Sequence, residues 1–283
     1  LISAWYKRRF VLRTWSHKEE EMFQSYHIKK PCNEILLAGL NFIVQKVSAA
    51  YGNGGELLFQ DSAGNLLRTE RTEELLKRAK FEDRSAEYAR GLIAECGPAE
   101  DGTKTALILA ADLLEKLQEG AVSSEEMRKG LPEIVEFSKN YLRRTEAAYG
   151  ALPGAGLYLL TLMRPLIRLC DQEQVGAAGI VASAVSCPLK TLAENNGLVF
   201  HEVYERVKAT APNQFYSLHH FGIDGSVEER EPHDAITFGP DIRSKKHVNL
   251  LEAGITVPLE TALAVLDKTE GIINAFLSVK SVF

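Results

Sequence analysis

Cysteine is scarce in this chain, and the cysteines it has lie far apart. Cys32, Cys96, Cys170 and Cys187 are the only four among 283 residues. There is no CxxC pair and no cluster with metal-ligand spacing. That excludes a disulfide-stapled scaffold or a zinc ribbon and reads as buried free thiols in a reducing compartment. Long apolar runs are missing too. The longest candidate, around 155–170, contains Arg164, Pro165 and Arg168, so a soluble chain with no membrane span is expected. Nor is positive charge in excess: 33 Lys and Arg stand against 38 Asp and Glu, a net charge of −5. Such a balance argues against a protein that coats nucleic acid. Repeats and low-complexity tracts are absent. The length allows one large domain or two small ones, each able to bury a real core.

What is present is mostly helical periodicity. Leu36, Leu40, Ile43, Val44 and Val47 mark one face of a helix over 34–50, ended by Tyr51-Gly52-Asn53-Gly54-Gly55. Leu57-Leu58-Phe59, a turn at 61–65 and Leu66-Leu67 read as a β-hairpin. The charged stretch 70–83 is expected to be a surface helix, and 85–96 an amphipathic one. Ser123 with Glu126 forms a capping pattern for a helix running to about Tyr149. Residues 150–156 (GALPGAG) turn the chain into a helix near Leu157. Further helices are expected over 175–184, from Pro188 to about Asn195, over 198–208, and from Leu259 to about Ala275. Leu277 to Phe283 alternates like an edge strand. His219, His220, His233 and His247 fall in 213–247 at spacings that fit no metal-ligand pattern, so a surface loop is expected there. Residues 1–17 carry Lys7, Arg8, Arg9, Arg13 and both tryptophans without an acid. With Leu1 in place of Met, they suggest the remainder of an organellar targeting segment, an arm that grips a partner, or one that packs on its own domain.

The stretch with most chemical content is Glu100-Asp101-Gly102-Thr103-Lys104-Thr105, followed by an apolar helix with Ala106, Leu109, Ala110, Leu113 and Leu117 in phase. Gly102 allows a tight entry, and Thr103 or Thr105 can cap free N–H groups. A Gly/Thr turn at a helix start offers donors to an anion, with Asp101 placed to hold the cation of a metal-nucleotide. An ordinary capped helix with a solvated Asp101 would carry the same residues.

In order, these pieces resemble the equatorial domain of group I chaperonins, the sixty-kilodalton ring ATPases. Ala-Tyr-Gly52-Asn-Gly-Gly resembles that family's first phosphate loop, Glu-Asp101-Gly102-Thr103-Lys104-Thr105-Ala its Gly-Asp-Gly-Thr-Thr-Thr-Ala, and Ala151–Gly156 its Val-Ala-Gly-Gly-Gly turn, with Gly154 and Gly156 matching. Asp241–Ile255 resembles the stretch ending Val-Glu-Ala-Gly-Ile. The resemblance covers about 25–283 and implies a mainly α, equatorial-domain-like helical bundle with short β-hairpins and a terminal strand. Residues 1–24 would be an arm, and 25–283 one domain in halves 25–149 and 150–283 with an inserted loop 214–238. The nucleotide site it implies would be Gly52, Asp101, Gly102, Thr103, Lys104, Thr105, Gly154 and Gly156, with Asp101 facing magnesium through the nucleotide.

Departures from the pattern matter as much. Only about ten residues separate Lys139 from Gly150, leaving no room for an intermediate and an apical domain. The catalytic Asp aligns near Ser138, the second metal-proximal acid survives at best as Glu70, and the ribose-side Asp falls on Val257. The expected function is therefore a catalytically degenerate structural or assembly subunit of a larger complex, with neither ATP hydrolysis nor a resident cofactor expected. The alternative is a reduced chaperonin-type ATPase, an assembly chaperone or switch that binds ATP or ADP with magnesium. A third reading, an RNA-binding subunit using 1–17 and Lys245-Lys246, runs against the acidic balance. The expected partners are protein subunits, with self-association through strand 277–283 and hairpin 57–67, and the expected place is the mitochondrial matrix, with a plastid or bacterial cytoplasm as alternatives.

Overall fold

Helix Thr103–Gln118, here α4, is the centre of the packing. In a computed structural model, which describes residues 34–52, 55–97, 101–120, 122–173, 175–211 and 236–279, eleven of its sixteen residues are buried. A helix apolar on nearly every side has to be enclosed by others. The first neighbour is α1 (Glu34–Ser48), followed by the hairpin β1 (Leu57–Gln60) and β2 (Leu66–Thr69), then α2 (Thr72–Arg78) and α3 (Arg84–Glu95). After α4 come α5 (Ser124–Tyr149), β3 (Leu152–Pro153), α6 (Leu157–Leu160), α7 (Met163–Glu173), α8 (Gly176–Ala184), α9 (Cys187–Asn195) and α10 (Phe200–Thr210). The described chain ends with β4 (Phe238–Asp241), β5 (Lys246–Asn249), β6 (Thr256–Val257) and α11 (Leu259–Ser278). Against α4 lie α1, α8, α9 and α11, and α11 also packs on α5.

Local chemistry explains the boundaries. Ser123 Oγ accepts from the Glu126 N–H at 3.1 Å while the Glu126 carboxylate accepts from the Ser123 N–H at 3.2 Å, closing the expected capping box of α5. The helix then runs unbroken past Pro132 to a left-handed Gly150 at φ 76°, whose N–H reaches the Glu146 carbonyl at 2.7 Å. Gly39 lets α1 and α3 touch: a Cβ there would run into the backbone of Ser85. Among the described residues the sheets are three antiparallel pairs, β1–β2, β4–β5 and β3–β6. A main core spans α1, α3, α4, α5, α8 and α11. A satellite of Leu157, Leu160, Leu189, Val203, Val207, Ile236 and Leu250 lies under α10 and β4–β5.

Four expectations need correction. Leu277 and Ser278 belong to α11, not to an edge strand. Leu277 follows Ile273 by one helical turn and is buried with it and Phe276, so the apolar stripe continues instead of alternating. Residues 280–283 lie outside the described residues, as do the arm 1–24 and most of the insertion 214–238. Within 213–247, β4 begins a hairpin where a loop was expected. The Asp241 turn that drives it is satisfied by its own residues, Asp241 accepting from the Arg243 N–H at 3.0 Å. The surface helix over 70–83 is confined to α2, after which Ala79 bridges to Asp61. Finally, Gly176–Asn195 is long and apolar enough to cross a membrane by length and composition, with mean hydropathy 1.3. It is divided at Val185–Ser186 into α8 and α9, and eleven of its twenty residues are buried inside the fold.

Candidate functional site

Three segments distant in sequence meet at the N-terminus of α4. The first is the turn after α1, where Gly52 takes φ 87° and the carbonyls of Ser48 and Tyr51 accept from Asn195 Nδ2 at 2.6 and 3.0 Å. The Tyr51 hydroxyl lies 3.2 Å from Thr105 Oγ1, and burial raises its pKa. The second is the exit from β2, residues 70–73. The third is Asp101–Thr105, where Gly102 caps α4 at φ 89° and would drive a Cβ to 2.5 Å from Val265 Cγ2. Together Tyr51, residues 70–73 and residues 101–105 line a cleft of about 440 Å³.

The cleft carries charges of both signs. Asp101 and Glu70 are exposed, and Glu73 is engaged by Lys77 one turn along α2. Arg71 is exposed, and Lys104 is half-buried with Nζ 3.5 Å from the Ala50 carbonyl. Burial holds the Lys104 ammonium below its ordinary pKa, opposed by the negative Glu70 nearby. Thr103 and Thr105 are buried. Thr72, also buried, has a hydroxyl with no hydrogen-bond partner among the described residues, an arrangement that costs about 1–3 kcal/mol when nothing fills it. No group of three or more His, Cys, Asp or Glu among the described residues could hold a metal ion by itself. A cation here would need oxygens from its own ligand beside Asp101 or Glu70.

Of the residues singled out by sequence, Asp101, Gly102, Thr103, Lys104 and Thr105 line the cleft, and Gly52 adjoins it through Tyr51. Gly154 and Gly156 do not line it. Gly154 donates to the Ile255 carbonyl at 2.9 Å, and Gly156, at φ 78°, brings the chain to where a Cβ would stand 3.1 Å from the Leu189 nitrogen. Their freedom serves close packing against the chain itself. Ser138 is buried in α5 and donates to the Ile134 carbonyl at 2.7 Å. Val257 pairs with Leu152 in the β3–β6 ladder and packs against the main core. Tyr51, Arg71, Thr72 and Glu73 were missed, since no local pattern links them to residue 101. Cys96, Cys170 and Cys187 are free but only partly buried, and burial pushes the Cys187 thiol up to about 12.

No protein-family model matches this sequence. Among solved structures the fold is similar to "Crystal structure of group III chaperonin in the open state", with a TM-score of 0.67 at 9% sequence identity, covering 88% of this chain and 98% of that one. A mainly helical body with short two-stranded antiparallel sheets, laid out in this order, is a chaperonin-like fold.

Proposed function

We propose that this chain is a non-hydrolysing relative of the group I chaperonins, reduced to an equatorial-type domain and used as a structural or assembly subunit of a larger complex. The observation that carries the reading is what stands at the two positions that hydrolysis and ribose binding would need. Ser138 is sealed inside α5 with its hydroxyl bonded to the backbone, and Val257 is part of a β ladder. Neither side chain can orient a water or accept from a ribose hydroxyl, and general-base chemistry needs such a group within hydrogen-bond reach. The unbroken run of α5 from Ser124 to Tyr149 supports the absence of further domains at that point of the chain.

The contact surface of such a subunit would include the β1–β2 hairpin. Leu58 and Leu66, diagonal across it in register, are 64% and 70% exposed, well beyond what a solvated hairpin needs. A specific observation also favours a second reading. The cleft keeps Asp101, the Gly102 turn and Lys104 on one side and Glu70 and Arg71 on the other, a donor and acid set that would hold a nucleotide's phosphates with magnesium at Asp101 without turning it over.

One preparation tests both. Magnesium-dependent ATP hydrolysis is measured beside native mass, for the chain and for a Leu58→Ser/Leu66→Ser variant. No turnover, with assembly weakened in the variant, is the expected result. Turnover that disappears in Asp101→Ala would overturn the structural reading in favour of an ATPase.

A further inference from the structure

The turn between β4 and β5 is locally basic on an acidic chain. Arg243, Lys245 and Lys246 are all exposed, with only Ser244 among them. Asp241, which opens the turn, is used within it, accepting from the Arg243 N–H at 3.0 Å and from Ser244 Oγ at 2.6 Å. Lys245 sits in the left-handed region at φ 57°, a strained conformation for a residue other than glycine.

On the strands that lead to this turn stands an aromatic pair, on the face opposite the one from which Lys246 springs. Pro240 faces His247 across the ladder and Phe238 faces Asn249, so Phe238 and His247 share one face of the hairpin. Their rings are stacked, with centroids 6.3 Å apart at 28°, and Phe238 is 40% exposed. Helix α10 closes the far side of His247: Thr210 Oγ1 lies 3.5 Å from Nε2, and Arg206 is near enough to join burial in lowering the His247 pKa. The acids of these elements are partly engaged: Glu205 pairs with Lys208 at 3.2 Å, and Glu252 accepts from Asn249 Nδ2 at 2.9 Å. Three residue rises, about 10 Å, separate Phe238 from the basic turn, within the reach of a few nucleotides.

We propose that the β4–β5 hairpin, with Arg206 of α10, is a docking surface for single-stranded RNA, its phosphates on Arg206, Arg243, Lys245 and Lys246 and a base on the open face of Phe238. An acidic protein segment would satisfy the cations and leave the exposed ring unused, whereas a single strand needs both a charged track and a stacking ring. The net charge of −5 weighs against a protein that coats nucleic acid along its surface, but binding at one site follows the local distribution of charge, which is basic here.

The test is fluorescence anisotropy of the full chain with a labelled uridine oligomer of about 15 nucleotides, a length that covers one such platform. Four phosphate contacts predict that affinity falls about 50-fold between roughly 50 and 200 mM salt. Arg243→Glu/Lys246→Glu should lower affinity at least tenfold. Phe238→Ala should lower it about tenfold while leaving the salt slope unchanged, as loss of stacking requires. Lys245→Gly, which relieves the left-handed backbone and so is safe for folding, should cut the slope by about 0.7. Absence of binding at low salt, indifference to Lys245→Gly, or equal competition by polyglutamate would each overturn the proposal.

Discussion

The turns at Gly102 and at Gly154–Gly156 carry similar residues and do opposite things. Both lead into helices, and Gly102 and Gly156 take positive φ of 89° and 78°. At Gly102 the atom in the way of a side chain is a methyl of Val265, and the turn opens on a cleft. At Gly154 and Gly156 the atoms in the way are the Ile255 carbonyl and the Leu189 nitrogen, and the turn is closed by its own chain. A glycine tells that backbone comes close to something. Whether that something is a ligand or the protein is decided by elements far away in sequence.

The contrast can be broken by substitution. Gly156→Val should have the largest effect, about 3 kcal/mol or more, because positive φ and a backbone clash add and neither can relax; a urea midpoint unchanged from the parent would refute the packing role. Gly102→Ala should cost about 1–2 kcal/mol, since a valine methyl can move aside while the φ strain remains. If it cost as much as Gly156→Val, the two turns would be alike after all. Lys104→Met should leave stability near neutral pH equal or slightly raised. Burial depresses the folded-state pKa of Lys104 below its unfolded value near 10.5, so the unfolded chain binds more protons between the two. The parent's stability therefore gains as pH rises through that window, and the variant's pH–stability profile should lack this gain. Thr72→Val should have the smallest effect, stabilising by up to about 1 kcal/mol by removing a hydroxyl with no partner among the described residues. A clear loss of stability would show that the hydroxyl is satisfied in solution.

Much of the helical order could be read directly. The Ser123–Glu126 box, the apolar face of α1 and Pro188 in the first turn of α9 are local signals, and helices follow local signals. The errors came where a stretch's fate depends on what covers it. Leu277 looked alternating because its neighbours are Ser278 and Val279, yet α4 and α5 present it with a core to join. The β4–β5 hairpin was hidden by histidines and glycines, although Gly239 is there because Leu157 leaves no room for a Cβ. One half of the cleft was legible in Asp101–Thr105. The other half, Tyr51 and Arg71–Glu73, was not, because only the tertiary fold brings these residues to it.

The place of α11 against α4 and α5 has a consequence for synthesis. Phe276, wholly enclosed, and Ile272 and Ile273 beside it complete a core whose other walls are made more than a hundred residues earlier. While a ribosome is still translating towards residue 278, the sides of α4 and α5 against which α11 packs have no final cover. The nascent chain therefore carries an open apolar surface for many seconds at ordinary elongation rates. A stall or premature stop before Leu259 would release a species prone to aggregate and quickly seen by quality control.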